Sequence, residues 1–221
     1  MTTLRKGSHM NRRTLLGAAA LTAIASGMGA PLWAQTAPAT EAPAAAPEVK
    51  DLIIGNPDAK VELIEYASYT CPHCAAFHSN VFKDLKRDYI DTGKIKFVYR
   101  EIFFDRYGLW AAMVARCGGE MRYFGVQDLL YTQQKEWSSA GGAADVAEAI
   151  KKIGRTAGLS NEQLDACMQD GAMAQAMVEK FEKDSKADGI DSTPSFVLNG
   201  KKHSNMSYAE LKKLLDEALA G

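Results

Sequence analysis

Val61-Glu62-Leu63-Ile64-Glu65-Tyr66-Ala67-Ser68-Tyr69-Thr70-Cys71-Pro72-His73-Cys74-Ala75-Ala76-Phe77-His78 is the stretch on which the fold turns. Val61 to Ser68 is an apolar run suited to a buried strand. A helix follows at once, because Cys74, Phe77, His78, Val81 and Leu85 recur at the spacing of one helical face. Pro72 suits the first helical turn, where a missing N–H costs nothing. The cysteine pair therefore opens a helix directly after a strand, which is the context of a redox pair. A structural zinc site would need four Cys or His ligands, usually as two close pairs. Cys117 and Cys167 sit singly and far apart, and Cys74 faces the core.

The position of each cysteine in the helix suggests its role. Cys71 lies where unpaired N–H groups and the helix dipole stabilise an anion. His73 can add a positive charge or a donor, so both effects lower the Cys71 pKa. Cys74 is one turn in and buried, which makes its thiolate costly. Cys71 is thus expected to exchange with substrate thiols and Cys74 to resolve the mixed disulfide. Glu65 is either a surface charge on an edge strand or, as its flanks Leu63, Ile64 and Tyr66 favour, a buried acid that relays protons to Cys74. His78 is expected to pack on the core face of the helix.

Upstream, Asp51 to Ile54 is a short strand, stopped by Gly55-Asn56-Pro57-Asp58. Residues 35–50 are mostly Ala, Pro and Thr and are expected to form a flexible tether. Residues 1–34 read as a secretory signal peptide. Arg5, Lys6, Arg12 and Arg13 precede an apolar run from Leu15 to about Ile24, and Ala34 marks a small-residue exit. An uncleaved membrane anchor is the alternative. Arg12-Arg13 also resembles a twin-arginine signal, which leaves the export route open.

Downstream, Gly93 ends the helix and Ile95 to Tyr99 forms another strand. A helical block follows, with apolar faces through Trp110, Met113, Val114 and Cys117, then Tyr123, Val126 and Leu130, then Val146, Ala149, Ile150 and Ile153. Ser160 with Gln163 makes a capping box for a helix carrying Leu164, Cys167 and Met168. Met177, Val178 and Phe181 mark a further helix. Met173 and Met177 either pack in the core or line a peptide groove. Ser195 to Leu198 and Lys201 to His203 flank Asn199-Gly200, a type I′ hairpin signal. Ser207 with Glu210 caps a last helix. The order describes an α/β domain, residues 51–103 and 188–221, interrupted by an all-helical insertion at 104–187.

The combination resembles the DsbA family of bacterial periplasmic disulfide oxidases. Cys71-Pro72-His73-Cys74 matches that family's motif, and Glu65 the buried acid of thioredoxin-like domains. Thr193-Pro194 matches the cis-proline that faces the active site, and the helical block matches the family's helical domain. The surrounding residues resemble alphaproteobacterial members. The resemblance implies a thioredoxin fold with an inserted all-helical subdomain, and a periplasmic thiol:disulfide oxidoreductase that donates the Cys71–Cys74 disulfide to newly exported, unfolded, cysteine-containing proteins. It also implies reoxidation by a DsbB-like, quinone-linked membrane oxidase. No bound cofactor is needed.

The alternatives are a reductase or isomerase on the same fold, or a copper or zinc carrier using Cys71, Cys74 and a histidine. No heptad repeat precedes Asp51 to dimerise the chain, so a monomer is expected. With 221 residues, 47% hydrophobic, and a net charge of −1, the chain gives no sign of a nucleic-acid partner. Cys117 and Cys167 could be buried free thiols. Export to an oxidising compartment, the pairing of the other two cysteines, and a shared small subdomain favour a structural bond between them.

Overall fold

The structure, a computed structural model, describes residues 46–221. The signal peptide and most of the tether expected from the sequence lie outside the described residues. The fold begins a little earlier than Asp51: Val49 packs on the core, and the Lys50 carbonyl accepts a hydrogen bond from Arg116 Nη1 at 3.1 Å.

Five strands form one mixed sheet in the order β1-β3-β2-β4-β5. They are β1 (Leu52–Gly55), β2 (Glu62–Ala67), β3 (Lys96–Glu101), β4 (Ser195–Leu198) and β5 (Lys201–Ser204). β2 and β3 run parallel, joined by a helical crossover, and the other pairings are antiparallel. Side-chain alternation puts Leu63, Glu65 and Ala67 of β2, with Phe97 and Tyr99 of β3, on the face of the main core. Ile64, Tyr66, Val98, Ile102 and Val197 form a second cluster on the opposite face, closed by Phe181 and Ile190. The hairpin turns at Asn199 and Gly200, both with positive φ (45° and 81°), as its type I′ signal requires.

The crossover begins with α1 (Pro72–Phe77) and runs on through a π turn (His78–Phe82), α2 (Lys83–Leu85) and a second π turn (Lys86–Ile90). The sequence pattern predicts a plain α-helix there. The wide turns bring Phe82, Tyr89 and Ile90 inward beside Phe77, Val81 and Leu85, so the buried stripe is broader than a 3.6-residue period allows.

Between β3 and β4 lie α3 (Arg106–Cys117), α4 (Glu120–Thr132), α5 (Gln134–Ser138), α6 (Ala143–Thr156), α7 (Asn161–Gln169) and α8 (Gly171–Ala187); α9 (Tyr208–Ala220) ends the chain. The capping boxes at Ser160 and Ser207 form as their residues suggest, each contributing about 1 kcal/mol. Cys117 and Cys167 are disulfide-bonded, with Cα atoms 5.8 Å apart, and so tie α3 to α7.

β3 extends two residues past Tyr99. The reason is charge pairing that hydrophobicity does not reveal. Arg116 grips the buried Glu101 through two bonds of 2.7 and 2.6 Å, and Arg100 grips Asp51 at 3.2 and 2.8 Å. Paired in this way, both charges can enter the interior.

Candidate active site

Cys71 is the N-cap of α1, with extended backbone (φ −82°, ψ 118°). Its carbonyl starts the helix by accepting the N–H groups of Cys74 and Ala75 at 3.1 and 3.2 Å. Pro72 occupies the first helical position, as its fixed φ favours. Both cysteines are thiols. Cys74 is wholly buried. Cys71 is more enclosed than a helix-start position suggests, with 8% of its surface exposed. What encloses it is the loop before β4, where the Thr193–Pro194 peptide is cis and the Cys71 thiol donates to the Thr193 carbonyl at 3.5 Å.

The environment separates the two thiols. A hydrogen bond from the Cys74 thiol is the largest influence on Cys71. Burial opposes it, and the Thr193 side chain and the backbone N–H groups of Cys74 and His73 add to it. Together they hold the Cys71 pKa at about 5. Burial, above all, and then the neighbouring Cys71 push the Cys74 thiol far up. His73 acts here through its backbone N–H, and its side chain is exposed to solvent. The main-chain donors of the first helical turn are those that the sequence suggests at this position.

Glu65 lies beneath this pair on the core face of β2, 4% exposed, and burial raises its pKa to about 8. Its field also reaches Cys74 and helps raise that thiol. Because its folded pKa lies above the unfolded value, Glu65 stabilises the fold most below pH 4.5, and this contribution is lost as the pH rises through 8. About 3 kcal/mol should therefore disappear between pH 4.5 and 7. Urea unfolding of Glu65→Gln across that range is expected to lack this decline. An equal slope in both proteins would place the titration elsewhere.

The other candidates fall outside the cysteine pair. His78 is buried, stacked against Phe82 and Tyr131, with Nε2 2.9 Å from Asp128 Oδ1, and burial lowers its pKa. Met177 borders a small space beside Tyr66 and Arg100, and Met173 lies beside the Cys117–Cys167 bond. Among the described residues no three His, Cys, Asp or Glu side chains gather as a metal-ligand set.

Sequence reasoning missed the residues that hold the active-site turn. Thr70 Oγ1 donates to Asp105 Oδ2 at 2.8 Å, while Asp105 Oδ1 caps α3 by accepting the N–H groups of Tyr107 and Gly108. A Cβ at Gly108 would stand 3.4 Å from the hydroxyls of Ser68 and Thr70, an ordinary contact distance, so the start of α3 lies close beside this turn. The Gln134 amide donates to the carbonyls of Tyr69 and Cys71 at 2.8 and 2.9 Å. Asp105 carried an N-cap signal before an apolar helix. Gln134 lies in a short polar stretch with no period to mark it.

A five-stranded sheet with a helical insertion, and a dithiol opening the helix after its central strand, define a thioredoxin-fold protein of the kind built for thiol chemistry. The thioredoxin family model matches residues 48–217. The chain belongs to the thioredoxin family, among its DsbA-like members. It is 35% identical over 170 residues to a protein of Rickettsia bellii (strain RML369-C) provisionally named a protein-disulfide oxidoreductase, a match covering 76% of this chain and 64% of that one. The chain thus spans less than two thirds of that relative's length. Disulfide bond formation protein D of Bacillus subtilis (strain 168) is 26% identical, with 76% of this chain and 77% of that one covered. The crystal structure of Wolbachia pipientis alpha-DsbA1 superposes with a TM-score of 0.71 at 27% identity, covering 80% of this chain and 94% of that one.

Proposed function

We propose that this protein is a periplasmic thiol:disulfide oxidase that introduces disulfides into newly exported proteins. The observation that carries the reading is the asymmetry of the pair: Cys71 sits at a helix N-terminus with its pKa held at about 5, over a wholly buried Cys74. A thiolate so stabilised favours the reduced enzyme, and a stable reduced form makes the disulfide a good oxidant.

In the oxidised enzyme a substrate thiolate attacks Cys71 Sγ. The Cys71–Cys74 bond breaks, and Cys74 leaves as a thiolate that takes a proton relayed by Glu65. The second substrate thiolate then attacks the substrate sulfur of the mixed disulfide, and Cys71 leaves as a thiolate. The substrate loses two electrons and the enzyme gains them. Pro194 and Thr193 form the wall against which the substrate chain lies, and Pro72 and His73 complete the rim. A DsbB-like, quinone-linked membrane oxidase then restores the disulfide. The Cys117–Cys167 bond is structural.

Equilibration with glutathione tests the direction of transfer. The expected reduction potential is more oxidising than about −200 mV, and a value near the thioredoxin figure of about −270 mV would make the protein a reductase.

A further inference from the structure

We propose that Gln134 is a positioning residue for Cys71, through which the helical insertion sets the reactivity of the cysteine pair. The inference deepens the oxidase reading and rests on it. One amide nitrogen spends both hydrogens on the active-site turn, reaching the carbonyl of Tyr69 at 2.8 Å and that of Cys71 at 2.9 Å. The Cys71 carbonyl is the one that also starts α1, so Gln134 holds the helix at its first hydrogen-bonded residue.

The support beneath Gln134 is firm. It begins α5, and Trp137, 1% exposed on the same helix, donates its indole N–H to the Leu130 carbonyl at 2.7 Å. That bond fixes α5 to the end of α4. Gln134 is itself buried, so the contact is shielded from water.

Two physical effects follow. The amide fixes the plane of the Cys71 carbonyl, and with it the direction in which the His73 and Cys74 N–H groups point past the sulfur. Its positive end also offsets the negative end of the carbonyl dipole within the cysteine residue. Both favour the thiolate over the thiol. A neutral double donor suits this place by its chemistry. A carboxylate there would face two carbonyl oxygens with no hydrogen to offer, and asparagine is one methylene short.

The test uses Gln134→Met, which keeps the volume and removes the donors, and Gln134→Lys, which restores donors with a different shape. Thiolate absorbance against pH gives the Cys71 pKa, and equilibration with glutathione at pH 7 gives the redox constant. Gln134→Met is expected to raise the pKa by about one unit and to make the disulfide about tenfold less oxidising. Gln134→Lys is expected to return both to the wild-type value or beyond it. An unchanged pKa in Gln134→Met overturns the proposal. So does an equal rise in both variants, which marks a packing role alone. If Gln134→Met does not fold, Gln134→Lys decides by itself, since a pKa above wild type refutes the role and one at or below it supports it. A wild-type pair that neither titrates below an ordinary cysteine nor exchanges with glutathione instead defeats the oxidase reading.

Discussion

Replacing Cys71 by serine is expected to reduce dithiol oxidation of a model peptide to the uncatalysed rate, whereas Cys74→Ser is expected to accumulate mixed disulfides with substrate. The two outcomes differ because the sulfurs differ in access and charge. Cys71 meets solvent, and its thiolate is populated well below neutral pH. Cys74 meets no solvent, and burial keeps it protonated. In the oxidised wild type an incoming thiolate can therefore attack only Cys71; in Cys74→Ser the Cys71 thiolate instead attacks a substrate disulfide, one substrate thiolate leaves, and no second enzyme thiol remains to resolve the mixed disulfide. Non-reducing electrophoresis and mass spectrometry would detect the trapped adduct. The reaction of the reduced enzyme with a disulfide, in which Cys71 is the nucleophile, should also slow as the pH drops through about 5, where Cys71 takes up its proton. Full activity in Cys71→Ser, or adducts on Cys71→Ser rather than Cys74→Ser, would overturn the assignment of roles.

The second large effect concerns stability. Removing the Cys117–Cys167 bond with the double variant Cys117→Ala/Cys167→Ala opens a loop with a sequence separation of 50. The chain-entropy model puts the loss at about 4 kcal/mol. For a domain of this size that lowers Tm by roughly 8–16 °C. The bond joins the end of α3 to α7, and α3 is the helix whose N-cap, Asp105, holds Thr70 beside the cysteine pair. Thermal unfolding followed by circular dichroism measures the shift. A change below about 2 °C would show that α3 and α7 hold together without the bond.

Much of this protein is readable from local pattern. The apolar run from Val61 places the central strand, Pro72 after Cys71 marks the helix start, Asn199-Gly200 marks the hairpin, and Ser160 and Ser207 mark two caps. Each is a short-range preference of the backbone, so a few neighbouring residues suffice to state it. Burial of Glu65 is readable for a related reason, since a strand with apolar flanks on both sides leaves no solvated face. The end of β3 is harder. Arg100 and Glu101 look like a strand terminus because their partners, Asp51 and Arg116, lie far along the chain.

Local pattern in the sequence is enough for the order of the strands and the main helices, and for the Cys71/Cys74 pair at the start of α1. What surrounds that pair comes from tertiary contacts: the Thr193 carbonyl reaches Cys71, and Gln134 from the insertion clasps the active-site turn. The physical reason is distance along the chain. Gln134 and Cys71 are 63 residues apart, and Thr193 and Cys71 are 122 apart. No local preference encodes such a meeting; it arises only when the sheet and the helical block bury their apolar faces and carry these polar groups into register with one another.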